Sequence, residues 1–96
     1  MRQDPGGGAL EQLYKAVLLL ASEAGQIEDR LALAYFKHIQ PIETIQLPPD
    51  RQPRLESLQT RLHALYPVRG VIDGVDRDIA VNLAMEIMLL YDDLNH

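Results

Sequence analysis

The sequence predicts an all-α protein, a small four-helix bundle whose second and third helices are joined by an irregular, proline-containing connection. Three observations carry that prediction. Apolar residues make up 47% of the chain, yet its aromatic residues are four Tyr and one Phe. The core must then be built from Leu, Ile, Val, Ala and Met, a mix that favours helices over a β-sandwich. Apolar residues also recur at spacings of three and four in four separate stretches, the signature of amphipathic helices. Finally, the breakers Gly25, Pro41, Pro48, Pro49 and Pro67 fall between those stretches, where they would end one helix and begin the next.

A chain of 96 residues suits one domain and is too short for two independent cores. The opening MRQDPGGG, residues 1–8, has no apolar side chain beyond Met1 and is expected to be a flexible arm. Residues 9–96 are expected to form a single helical domain. The first helix starts at Ala9, with Leu10, Leu13, Tyr14, Val17, Leu18, Ala21 and Ala24 as its apolar stripe and Glu11 and Lys15 as an exposed pair. Gly25 ends it. The second helix spans about Gln26 to Gln40, with Ile27, Leu31, Ala34, Tyr35 and His38 on one stripe. Glu28 and Asp29 suit the positive end of its dipole, and Pro41 stops it.

PIETIQLPPD then reads as a loop strapped down by Ile42, Ile45 and Leu47, with a short strand as the alternative. Asp50 is the expected N-cap of the third helix and Pro53 falls in its first turn, where a missing N–H costs nothing. Leu55, Leu58, Leu62 and Leu65 make a narrow seam against polar neighbours. The last helix runs from about Asp76 to Leu94. Ile79, Leu83, Ile87, Leu90 and Leu94 form one stripe, which Val81, Ala84, Met85, Met88 and Tyr91 widen. The consistently polar strip is Asp78, Asn82, Glu86 and Asp93. Across the bundle the expected core is Leu13, Val17, Leu31, Tyr35, Leu58, Leu62, Leu83 and Ile87.

The breadth of the last apolar face carries the functional expectation. A helix facing one side of a small bundle needs an apolar arc of only ~100° or somewhat more. This one exceeds that, so it is either central or spends the surplus on another chain. Met85, Met88 and Leu89 are the expected partner-binding residues, toward a homodimer or a heteromeric protein partner.

Chemistry has weaker candidates. In DGVDRD the glycine directly follows the first aspartate, and Asp73, Asp76 and Asp78 lack the alternate spacing and distal Glu of a calcium loop. Asp76 or Asp78 reads instead as a helix N-cap. In DDLNH, Asp93 and His96 could reach one metal from a helix face, but no Glu-x-x-His accompanies them. His38 and His63 have no partner motif, and the serines are Ser22 and Ser57. Phosphate-binding and hydrolase signatures are missing from the sequence. No metal, cofactor or catalytic residue is assigned, and the chain is expected not to be an enzyme.

A net charge of −5 disfavours nucleic acid and anionic membranes. LLASEAGQIEDRLALA loosely follows helix-turn-helix spacing, but its second helix would begin with Glu28 and Asp29, which repel phosphates. With no cysteine, disulfides, thiolate chemistry and zinc–sulfur sites are excluded. The first apolar run is interrupted by Glu11 and Lys15 and reads neither as an export signal nor as a membrane span, so a cytoplasmic location is the default. The favoured function is a small non-enzymatic interaction module, an accessory or regulatory subunit. Its alternatives are an acidic inhibitor of a nucleic-acid-binding protein, then a DNA-binding regulator, or a metal-dependent enzyme with Glu86, Asp93 and His96 as ligands.

Overall fold

Four helices account for the regular structure: α1 (Gly8–Ser22), α2 (Ile27–Ala34), α3 (Gln52–Leu65) and α4 (Arg77–Leu94). They come from a computed structural model that describes residues 8–22, 25–69 and 74–95. Residues 1–7 of the expected arm, with Ala24, Asp73 and His96, lie outside the described residues. Among those residues there is no strand, and the all-α four-helix bundle is the fold. α4 is its centre, packing against α1, α2 and α3, while α1 also packs on α2.

Each helix buries a stripe set by its own pattern. α3 inserts Leu55, Leu58 and Leu62, and α4 inserts Ala80, Leu83, Ala84, Ile87 and Leu90. Leu31, Ala34 and Tyr35 meet them from the second helix, as the sequence predicts. Among the described residues the fully buried side chains are aliphatic apart from Tyr35 and Tyr66, while Glu28 Oε1 and Arg30 Nε are buried without a hydrogen-bond partner where α2 begins, a local cost to the fold.

α1 departs from expectation. Its buried residues are Ala9, Leu13, Ala16 and Leu20, whereas Leu10, Tyr14 and Leu18 are 42%, 46% and 44% exposed. Val17, expected in the core, is only partly buried. The physical reason is that α1 is apolar around most of its circumference, so two overlapping stripes both satisfy the three-four spacing. The stripe with the small Ala9 and Ala16 lets the helix approach its neighbours more closely. A similar rotation leaves Ile79 of α4 at the surface.

The second helix reaches Gln40 by an unexpected route. From Tyr35 to Ile39 it widens into a single π turn, in which Gln40 N–H donates to Tyr35 O over 2.7 Å. Pro41 then prevents continuation. The carbonyls left at this end are collected by Gln59 of α3, whose Nε2 donates to Ile39 O at 3.0 Å and Ile42 O at 2.9 Å. The connection that follows is the strapped-down loop: Ile42 and Leu47 are buried, a 3₁₀ turn spans Thr44–Gln46, and Ile45 points outward.

Helix ends divide the same way. Asp50 does not cap α3: Arg51 holds the cap position without a side-chain bond, and Asp50 pairs with the Arg51 guanidinium instead. Pro53 does sit in the first turn. Between α1 and α2, Gly25 has φ +107°, a region costly for any residue with a Cβ, although a Cβ there would touch nothing. Arg30 returns to donate to Leu20 O of α1 at 2.6 Å, capping a carbonyl of its last turn.

Asp76 caps α4, its Oδ1 accepting from Asp78 N–H at 2.8 Å and Ile79 N–H at 3.1 Å. Asp76→Ala is therefore expected to cost about 0.5–2 kcal/mol of stability while Asp76→Asn retains most of it. Urea unfolding of the two variants checks this, and equal losses would remove the cap from the account.

Candidate protein-binding face

α4 positions the three predicted partner-binding residues by its period, since Met88 and Leu89 stand three and four residues beyond Met85. All three reach solvent, with Met85 52%, Met88 38% and Leu89 58% exposed, and Ile79 joins them at 49%. Isolated exposed apolar residues are ordinary, but several on one helix face are not.

The structure separates these residues into two neighbouring surfaces. Met85 and Leu89 border a groove of about 640 Å³ between α3 and α4. Ile79 and Leu83 continue its α4 wall, and Ala64 and Leu65 form the α3 wall. Met88 does not line the groove. It lies three residues before Tyr91, whose ring meets Tyr14 of α1 with centroids 5.8 Å apart. Sequence reasoning found the α4 residues through the breadth of the apolar arc. It missed the exposed Leu10, Tyr14 and Leu18 row on α1, for which an equally broad arc was the available signal.

The polar strip of α4 is an interhelical seam. Glu86 receives a two-pronged hydrogen bond from Arg61 of α3, with one contact of 2.6 Å, and that guanidinium holds the Glu86 carboxyl below its usual range. Asp93 is held by Arg51 and, at 3.1 Å, by Arg54. The Arg61–Glu86 pair holds α3 to α4 along one edge of the groove and the Asp93 pairs hold the start of α3 to the end of α4, although exposed pairs of this kind each contribute only ~0–1 kcal/mol. Bidentate geometry makes them better positioning devices than stabilisers.

The remaining titratable groups have local explanations. His38 donates from Nδ1 to Gln12 Oε1 of α1 at 3.0 Å. Its pKa is pushed down by burial, then by Lys15 and Lys37. His63 is exposed, with Nδ1 3.4 Å from the Tyr35 hydroxyl. Glu86 and Asp93, the candidate metal ligands, both face arginines, and among the described residues no three His, Asp or Glu side chains are grouped to hold an ion. At the start of α2, Tyr66 donates to Glu28 O at 2.8 Å, and Arg77 lies 3.8 Å from the Glu28 carboxylate. That turn is packed against the ends of α3 and α4. No described helix is long and apolar enough to cross a membrane.

The site can therefore present apolar surface beside a charge-paired edge, an arrangement suited to holding another apolar surface. The chain matches no family model, no curated protein and no solved structure.

Proposed function

We propose that the protein is a small non-enzymatic interaction module, an accessory or regulatory subunit of the cytoplasm, which holds a protein partner through the apolar face of α4. The observation that supports this most directly is the joint exposure of Ile79, Met85, Met88 and Leu89 on the helix that also forms the centre of the core. A residue that served only the fold would gain by turning inward, because burying a large apolar side chain is worth ~1.5–3 kcal/mol. Four such residues remain outside. The flexible thioethers of Met85 and Met88 suit a surface that repacks around a partner.

The acidic-inhibitor alternative draws less support from the geometry. Glu86 and Asp93 are bonded to arginines of the same chain, and Glu11 pairs with Lys15 at 3.3 Å. Carboxylates meant to imitate a phosphate row would instead be offered to the partner.

The test is Leu89→Glu. Its side chain is mostly exposed, so far-UV helicity should be unchanged. Self-association, or recovery of proteins that co-purify with the wild-type chain, should be lost. Unchanged oligomer size together with unchanged recovery would remove the Leu89 side of α4 as the binding face.

A further inference from the structure

We infer that the apolar face is covered by a second copy of this chain, α1 and α4 of one protomer packing on α1 and α4 of its twofold mate with Met88 close to the axis. The inference rests on reading the α4 face as a binding surface and adds the occupant.

The first ground is where the exposed apolar side chains lie. Among the described residues the large ones outside α1 and α4 are Leu33, Ile45 and Val68, which belong to three different segments. The others connect. Leu10, Tyr14 and Leu18 follow one another at four-residue steps along α1, and Tyr14 touches Tyr91. From Tyr91, steps of three lead back to Met88 and Met85, and four more residues to Val81. α1 and α4 run antiparallel, since Arg77 at the start of α4 donates to Gln26 Oε1, just beyond α1, at 2.9 Å, while Tyr91 near its end meets Tyr14. The band is thus a two-helix layer, wider than the slot a single partner helix would need.

Its size is the second ground. Six roughly half-exposed large side chains, with the edge of Tyr91, present on the order of 500 Å² of surface. That is toward the upper end of the ~300–600 Å² of the largest apolar patch on an ordinary monomer and makes up the larger part of the ~800 Å² that each partner gives to a stable complex, the polar rim supplying the rest. A second copy supplies a matching layer of the same area and the same apolar character.

Charge fixes the register. In a twofold interface the residue at the axis meets itself. If Met85 took that place with the two α4 helices antiparallel, Asp78 would face Asp92 of the mate, a like-charge pair. With Met88 there, Asp92 stands opposite Ala84, Met85 stands opposite Tyr91, and Asp78 falls beyond the paired segment. Met88 also lies between the α1 row and Met85, near the middle of the band.

Because the chain has no cysteine, single-cysteine variants of the whole protein test this directly. Under mild oxidation the Met88→Cys variant should form a disulfide-linked dimer at least ~10-fold faster than Leu33→Cys, since two Cα atoms must approach within ~7 Å. Leu33 is exposed on α2, outside the band. In light scattering the unmodified chain should be a dimer that persists in high salt. Leu18→Glu should raise its dissociation constant by ~30-fold or more without changing far-UV helicity. Leu18 does not line the α3–α4 groove, so this variant separates the two surfaces.

A chain that stays monomeric at ~100 µM, well above the dissociation constant of a stable dimer, overturns the inference, as does equal cross-linking at the two cysteine positions. Should Leu18→Glu fail to fold, the cysteine comparison decides alone. A monomer whose co-purifying proteins are lost on Leu89→Glu would discard the second copy and leave the α4 binding face standing.

Discussion

Ile87→Ala is expected to lower the free energy of unfolding by about 2–5 kcal/mol. Ile87 is wholly buried on the helix that packs against all three others, so the space left by the missing atoms has helices on several sides and little freedom to collapse. Against the ~5–15 kcal/mol stability of an ordinary domain this is a large fraction. In a domain of this size the midpoint of thermal unfolding should fall by roughly 10 °C or more. Ile79 provides the control. It lies two turns earlier on the stripe predicted from spacing, yet it is half exposed, so Ile79→Ala should cost well under ~1 kcal/mol. Urea unfolding of both variants distinguishes the observed rotation of α4 from the predicted one. Equal losses would mean that α4 is turned to bury both residues.

That contrast also marks how far residue spacing reaches. Helix existence was legible because breakers and apolar periods agree: Pro41 and Pro67 close helices whose apolar residues stop just before them. Where the apolar stripe is narrow, its direction was legible too, as with Leu55, Leu58 and Leu62 of α3. Where it is broad, direction depends on the neighbours. α1 offers both the Leu10, Tyr14, Leu18 row and the Ala9, Leu13, Ala16, Leu20 row, and only packing against α2 and α4 selects the second.

Capping shows a related limit. Asp76 turns its carboxylate to the first N–H groups of α4 and caps it, whereas Asp50 pairs with Arg51; each aspartate is followed by an arginine, so the local sequence does not separate cap from ion pair. The π turn at Tyr35–Ile39 has no local signal, because the Gln59 amide that receives its end comes from another helix. For the candidate site, the breadth of α4 identified Met85, Met88 and Leu89. The division of those residues between a groove shared with α3 and a band shared with α1 follows from helix adjacency, which no single helix encodes.

Between pH 10 and pH 12 the fold is expected to lose about 2–3 kcal/mol through Tyr66 alone. Tyr66 follows α3 and is completely buried, its hydroxyl donating to Glu28 O at 2.8 Å. Burial, and then the negative charges of Glu28 and Asp29, push its pKa from 10.0 up to about 12. The sign follows from proton binding in the two states. Below pH 10 the phenol is neutral whether the chain is folded or not, and its full contribution to stability is present. Above pH 10 the unfolded chain releases this proton while the folded chain keeps it. Stability then falls by up to ~1.4 kcal/mol per pH unit and levels off once the folded group also ionises, above pH 12. Tyr35, raised by burial as well, adds a loss of the same sign.

Tyr66→Phe separates this effect from general alkaline weakening. At pH 7 the variant should be less stable by about 1 kcal/mol, the worth of the lost hydrogen bond. Its stability should then decline more gently than that of the wild type from pH 10 to pH 12, because lysine deprotonation is common to both and the Tyr66 ionisation is not. The two curves should converge and then cross. Denaturant midpoints measured at half-unit pH steps would show it. Parallel curves would mean that Tyr66 ionises in the folded chain as easily as in the unfolded one, which its burial beside the two carboxylates at the start of α2 forbids.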